Sequence, residues 1–239
     1  MKRIVQITAW LLCVSTALAQ GTFRVVPPGL ANVEGNSSSS DLFTTSSRQM
    51  VQVYSASEFG LSPGSSGLVT SVAFRLDGAT AQSYSAFWPS ATVYLSTTTR
   101  SPDSLSPVIS DNVGADAMQV FGGTFLIRAT NVSLFPRFFE VQMPLNTPFW
   151  YDPSKGNLAM HILTTTGPAS LLFDAQDTLG DGMGRVFGPS GPNSGTVDSL
   201  GFVTRFGITE VPEPQVVSLS LLGIALFWAF SSRCILRKR

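Results

Sequence analysis

Between Gln20 and Pro214, apolar residues recur at every second position in short runs, and no stretch sustains the 3.6-residue spacing of an amphipathic helix. That contrast constrains the fold more than anything else in the chain. A period of two puts alternate side chains on opposite faces of a strand, so each run can bury one face and wet the other. The clearest run is Leu68–Leu76, with Leu68, Thr70, Val72, Phe74 and Leu76 on one side. Gln49–Tyr54 alternates too, with Met50, Gln52 and Tyr54 opposite Val51 and Val53. Further strands are predicted at Thr92–Leu95, Val120–Ile127, Phe138–Met143, Leu158–Leu163, Ser170–Phe173 and Gly201–Ile208. Each is rich in Val, Ile, Phe, Tyr or Thr and is bounded by turn residues. Short strands without intervening helices predict an all-β chain, an antiparallel β-sandwich of jelly-roll-like form. A β-barrel or an irregular sandwich is the alternative.

The expected exported domain runs from 48 to 210. Before it, residues 20–47 hold Pro27-Pro28-Gly29 and the polar run Asn36-Ser37-Ser38-Ser39-Ser40. This segment reads as a flexible lead or as early edge strands. Gly188–Ser199 reads as a long loop, because Gly, Pro and Ser resist regular structure. No repeat of about 20 to 50 residues is visible, which disfavours a propeller or solenoid.

The only cysteines, Cys13 and Cys234, lie outside the 20–214 region. That region therefore has no disulfide and no thiol chemistry, and its core must hold it together. It carries nine basic residues against fifteen acidic ones, a net charge of −6, while the whole chain is neutral. An acidic domain argues against nucleic acid or anionic lipid as a partner.

The missing positive charge sits at the ends. Lys2 and Arg3 precede the apolar run Ile4–Val14, and Ala17-Leu18-Ala19 follows as a small-residue cleavage site. This is the order of a secretory signal peptide, residues 1–19, with Ala17 and Ala19 at the signal-peptidase site. Cys13 could suggest a lipid anchor, but the bulky Leu12 before it does not suit that processing. At the other end, Gln215–Ser232 carries no charged residue. At about 1.5 Å per residue it is near the shortest length that spans a bilayer as a helix. Arg233, Arg237, Lys238 and Arg239 follow, and positive residues stay on the cytoplasmic side. The expected precursor therefore sits in a membrane with its basic tail inside and its domain outside.

Residues 211–239 resemble the PEP-CTERM sorting signal of Gram-negative bacteria. Pro212-Glu213-Pro214 corresponds to the motif, 215–232 to its transmembrane helix, and Arg233 to Arg239 to the basic tail, here interrupted by Cys234-Ile235-Leu236. The resemblance implies recognition by an exosortase-like processing enzyme at the inner membrane, and then transfer to the cell surface or extracellular matrix. It also implies an association with exopolysaccharide and biofilm. It covers the C-terminus only.

Few residues in the domain suggest chemistry. His161, the single histidine, reads as a base or metal ligand, or more simply as a strand residue facing solvent or a polar core pocket. No G-x-S-x-G elbow occurs. Asp174, Asp177 and Asp181 place three carboxylates along FDAQDTLGDG, a possible Ca²⁺ group without EF-hand spacing, or a polar turn with Gly180 and Gly182. Glu140 is the candidate carboxylate for glycoside hydrolysis. Trp88, Trp150 and Tyr151, beside Phe87 and Phe149, are candidates for stacking on sugar rings, or else they cap the core. Two Asn-x-Ser sequons, at Asn36 and Asn131, are uninformative in a bacterial chain.

These readings lead to an expected non-enzymatic surface or matrix protein without a cofactor. The alternatives are a carbohydrate-binding module that holds extracellular polysaccharide and a secreted glycoside hydrolase.

Overall fold

The structure, a computed structural model, describes residues 21–79, 83–130 and 134–212. The signal peptide, Glu213, Pro214, the 215–232 segment and the basic tail lie outside the described residues. Among the described residues no helix is long and apolar enough to cross a membrane.

The chain is all-β, with every strand pair antiparallel. In chain order the strands are β1 (Gly21–Val26), β2 (Ser37–Ser39), β3 (Arg48–Tyr54), β4 (Ser65–Phe74), β5 (Tyr84–Thr98), β6 (Met118–Ala129) and β7 (Val141–Tyr151). They continue with β8 (Asn157–Thr164), β9 (Phe173–Asp177), β10 (Met183–Pro189), β11 (Thr196–Asp198), β12 (Leu200–Phe202) and β13 (Thr204–Pro212). One sheet runs β1-β13-β4-β7 and a larger one β11-β10-β3-β8-β5-β6, while β12-β9-β2 forms a small third sheet.

The two larger sheets share one core. Tyr54 of β3 meets Phe206 of β13 edge to face, 5.0 Å between ring centres, and the Tyr54 hydroxyl is 2.8 Å from Thr204 Oγ1. Phe43, Phe74, Phe173, Phe202 and Trp88 extend the same aromatic cluster across the sheets. Offset and edge-to-face ring pairs of this kind add about 1 kcal/mol each beyond area burial. The result is a sandwich-like body whose core needs no covalent staple.

Two bulges change which residues face inward. On β4 the pairing with β7 shifts between Val69 and Ser71. Inward residues therefore pass from Val69 to Val72 and Phe74, while Thr70 is exposed and Leu68 half-buried. Strict alternation over Leu68–Leu76 is thus corrected at its first half: the extra residue of a bulge inverts the phase. On β5 a shift between Trp88 and Ala91 moves the inward set from Trp88 to Ala91, Val93 and Leu95.

The segment 20–47, read as a flexible lead or early edge strands, forms edge strands. β1 pairs with β13 along its whole length, and β2 pairs with β9. Val26, Leu42 and Phe43 are fully buried. The expected loop Gly188–Ser199 is narrower than predicted. β10 extends through Pro189 and β11 starts at Thr196, so the two form a hairpin with Arg185 opposite Asp198. Buried Arg185 supplies the reason. Its guanidinium donates to Asp198, Asp41 and Ser39 and lies 4.2 Å over Phe187, fixing a polar stretch that propensity alone leaves irregular.

Candidate functional site

One cleft lies beside the four-stranded sheet, at the segment that leads into β7. Leu134-Phe135-Pro136-Arg137-Phe138-Phe139-Glu140 is a run of large rings around one arginine. Phe139 anchors it. Its ring is buried with Ala73 and Val203 and lies between two guanidinium groups, Arg75 at 4.9 Å and Arg205 at 5.2 Å. The Phe139 carbonyl accepts from Arg205 Nη2 and from Gln142 Nε2. Arg205 also covers Phe23 of β1 at 4.6 Å, and burial lowers its pKa from the ordinary guanidinium value. With its root fixed in this way, the run leaves Phe135 70% and Phe138 57% exposed.

Arg137 points the other way and is only 2% exposed. Among the described residues, none of its three guanidinium nitrogens has a hydrogen-bond partner. The cleft that it lines has a volume of about 610 Å³, within the usual range for small-molecule sites. Arg205, Asn32 and Gln142 line it as well, with Phe135 and Phe138 at its exposed rim. Glu140 also lines it, and its carboxylate accepts from Thr130 N at 2.8 Å and from Thr130 Oγ1 at 3.1 Å.

The other two deeply buried arginines behave differently. Arg75 Nε donates to Asp174 Oδ2 at 2.6 Å, and Arg75 Nη2 donates to the Leu30 and Val33 carbonyls. Arg185 has two carboxylates, Asp41 and Asp198. A buried cation is costly unless it is paired and hydrogen-bonded, and two of the three meet that requirement inside the chain.

The candidates from sequence are scattered by the fold. Trp88 is fully buried, edge to face with Phe43 at 5.3 Å, and its Nε1 donates to the Thr165 carbonyl. A methyl group on Gly167 would fall 2.0 Å from the indole, so backbone packs directly on that ring. Tyr151 is also buried, 5.1 Å from Phe59, with its hydroxyl donating to the Gly156 carbonyl. Both are corrected from sugar platforms to core residues, because β5 and β7 turn them inward. Trp150, the residue before Tyr151 on β7, faces out and is 52% exposed.

Asp174, Asp177 and Asp181 do not converge on a metal. Asp174 is committed to Arg75 and to the Gly35 N–H, Asp177 accepts from Ser199, and Asp181 accepts from the Met183 N–H. Among the described residues, no three His, Cys, Asp or Glu side chains form a metal-binding group. The calcium expectation is therefore corrected: strand β9 turns Asp174 inward, away from the loop that carries Asp181.

His161 lies on the outer face of β8, paired with Val51 and Tyr94. Its ring is 6.0 Å from that of Tyr94, beneath a smaller cleft of about 380 Å³ lined by Ile109, Val113 and Asn193. Burial pushes the imidazole down to about 4, so it is neutral at pH 7. Asn36 is bonded to the Asp177 backbone and to Thr178, and Asn131 lies outside the described residues.

The sequence reasoning missed Arg137 and Arg205. The available signal was a lone cation inside an aromatic run, which is a poor surface element and a costly core element. Compared with known protein families, curated proteins and solved structures, the chain finds no match in any of the three.

Proposed function

We propose that this chain is an exported, non-enzymatic cell-surface or matrix protein, sorted through its C-terminal PEP-CTERM-like element and associated with extracellular polysaccharide. The observation that carries the reading is the order of elements in the sequence: a signal-like start, an acidic cysteine-free domain, Pro212-Glu213-Pro214, an uncharged 18-residue segment and a basic end. The fold supports it in one respect. β13 runs up to Pro212, so the folded body meets the sorting motif without an intervening linker. We read the sheets as a jelly-roll-like sandwich that serves as a binding or structural module. Signal peptidase acts first in this reading. The precursor is then held in the inner membrane until an exosortase-like enzyme releases the domain.

The test is the intact mass of the mature protein from hosts with and without exosortase. Loss of the C-terminal segment only in the first is expected. Retention of 215–239 in both makes the segment a plain anchor and removes the sorting proposal.

The polysaccharide-binding reading rests on exposed rings, Trp150 on β7 and Phe135 and Phe138 at the cleft. Affinity electrophoresis in neutral and acidic polysaccharides tests it. Mobility unchanged in every gel would sink it. A hydrolase through Glu140 is the weaker reading, since both oxygens of that carboxylate hold Thr130.

A further inference from the structure

We infer that the Arg137 cleft is a carboxylate-binding site, and that its ligand is the carboxylate of a uronic acid unit in an acidic saccharide.

The argument starts with the unpaired cation. A guanidinium presents its N–H groups in a rigid plane that matches the two oxygens of a carboxylate. Arg75 and Arg185 meet such oxygens within the chain, while all three nitrogens of Arg137 are buried without an acceptor among the described residues. Leaving a buried cation in that state lowers stability, and such a cost is typical of a site shaped for a ligand rather than for the fold.

Charge then narrows the ligand. The ionisable residues lining the cleft are Arg137, Arg205 and Glu140, a net charge of +1. That balance suits one carboxylate. It disfavours a phosphate dianion, and the acidic domain as a whole repels a densely charged strand. The remaining lining suits a sugar ring. Phe135 and Phe138 offer exposed ring faces against which pyranose C–H groups can stack, while the Asn32 and Gln142 amides can meet hydroxyl groups. The carboxylate assignment stands on the cleft alone, whereas the choice of a sugar rests on the polysaccharide reading above.

The test uses the full-length chain purified in detergent, with methyl glucuronoside, methyl glucoside and acetate as probes in calorimetry. Binding of the glucuronoside is expected, at least about tenfold weaker binding of the neutral glucoside, and competition by acetate. Arg137→Met should weaken glucuronoside binding at least about tenfold, and Arg100→Gln, on a distant surface, should leave it unchanged. Without ligand, Arg137→Met should melt at or above the wild-type temperature, because it removes an unpaired buried charge. The proposal is overturned if the wild type fails to bind the glucuronoside, if the glucoside binds equally well, or if Arg137→Met binds undiminished. A clearly lowered melting temperature for Arg137→Met would also overturn it, by showing that the fold itself uses the cation. Retardation in polygalacturonate gels would place the recognised unit within a chain, and binding of short oligomers alone would place it at a chain end. None of these readouts depends on C-terminal processing, so the sorting and cleft proposals fail separately.

Discussion

Removing the Asp174 carboxylate should be among the most damaging single changes to this fold. Asp174 and Arg75 are both buried to within 1% of full enclosure, with 2.6 Å between Oδ2 and Nε. The other oxygen, Oδ1, accepts from the Gly35 N–H at 2.8 Å. Asp174→Ala therefore strands a buried guanidinium and a half-buried amide together. Breaking a buried ion pair from one side costs about 3–5 kcal/mol. For a domain of this size each kcal/mol lowers the melting temperature by about 2–4 °C, so a drop of about 6–20 °C follows. Asp174→Asn keeps an acceptor and should lose less. The double change Arg75→Met with Asp174→Leu should recover part of the loss, because no charge is left unpaired. Recovery stays incomplete, since the Leu30 and Val33 carbonyls lose their donor. Urea unfolding of the four proteins, with m-values compared, measures this. A loss under about 1 kcal/mol for Asp174→Ala, or a double variant no better than the single, would refute the reasoning. The loss should be the same in EDTA and in excess Ca²⁺; a calcium-dependent difference would restore the metal reading of Asp174.

Three further outcomes are expected. His161 is neutral when folded, with burial holding its pKa near 4, while the unfolded imidazole titrates near 6.5; stability is therefore full above about pH 6.5 and falls by up to about 3 kcal/mol toward pH 4. His161→Gln should flatten that slope in urea midpoints taken at pH 7.5 and 4.5, and an unchanged slope counts against it. Asp181 has the opposite sign: burial first, then Asp103 and Glu58, raise its carboxyl to about 6, so the folded state takes up the proton first. Asp181→Asn should raise the unfolding free energy in urea at pH 7.5, by less than about 1 kcal/mol after solvent screening, with the gain vanishing near pH 4. Trp88→Ala should cost about 3–5 kcal/mol and Trp150→Ala no more than about 0.5 kcal/mol by thermal unfolding; similar losses would contradict the inward and outward placement of the two rings.

How much of this was legible in the sequence depends on how local the cause is. Alternation is local, and it located β3, β6 and β8 closely. Bulges are not local: whether β4 shifts phase after Val69 is settled by its partner β7, so the faces of Leu68 and Thr70 could not be read from β4 alone. Edge strands β1 and β2 carry little apolar signal of their own, since their order comes from pairing with β13 and β9. The hairpin of β10 and β11 depends on Asp41, more than 140 residues upstream, which meets Arg185. The cleft was the least legible feature. Carboxylates and tryptophans carry conspicuous chemistry in any sequence, while a lone arginine in LFPRFFE gains meaning only from its surroundings, where no described residue answers it.

The end of β13 joins the two halves of the functional reading. This strand lies inside its sheet, paired with β1 on one side and β4 on the other, and it buries Phe206 and Ile208. Its ladder with β4 extends to Pro212 opposite Ser65. Proline has no N–H, so Pro212 itself donates nothing to that ladder, and the strand's buried side chains, Phe206 and Ile208, lie upstream of it. Processing on the C-terminal side of Pro212 would therefore leave every core contact of β13 in place. Arg205, the second cation of the cleft, sits on the same strand well inside that boundary. The proposed sorting event and the proposed binding site thus share a strand without competing for it. In that reading the domain loses the proposed membrane segment and still presents an intact cleft.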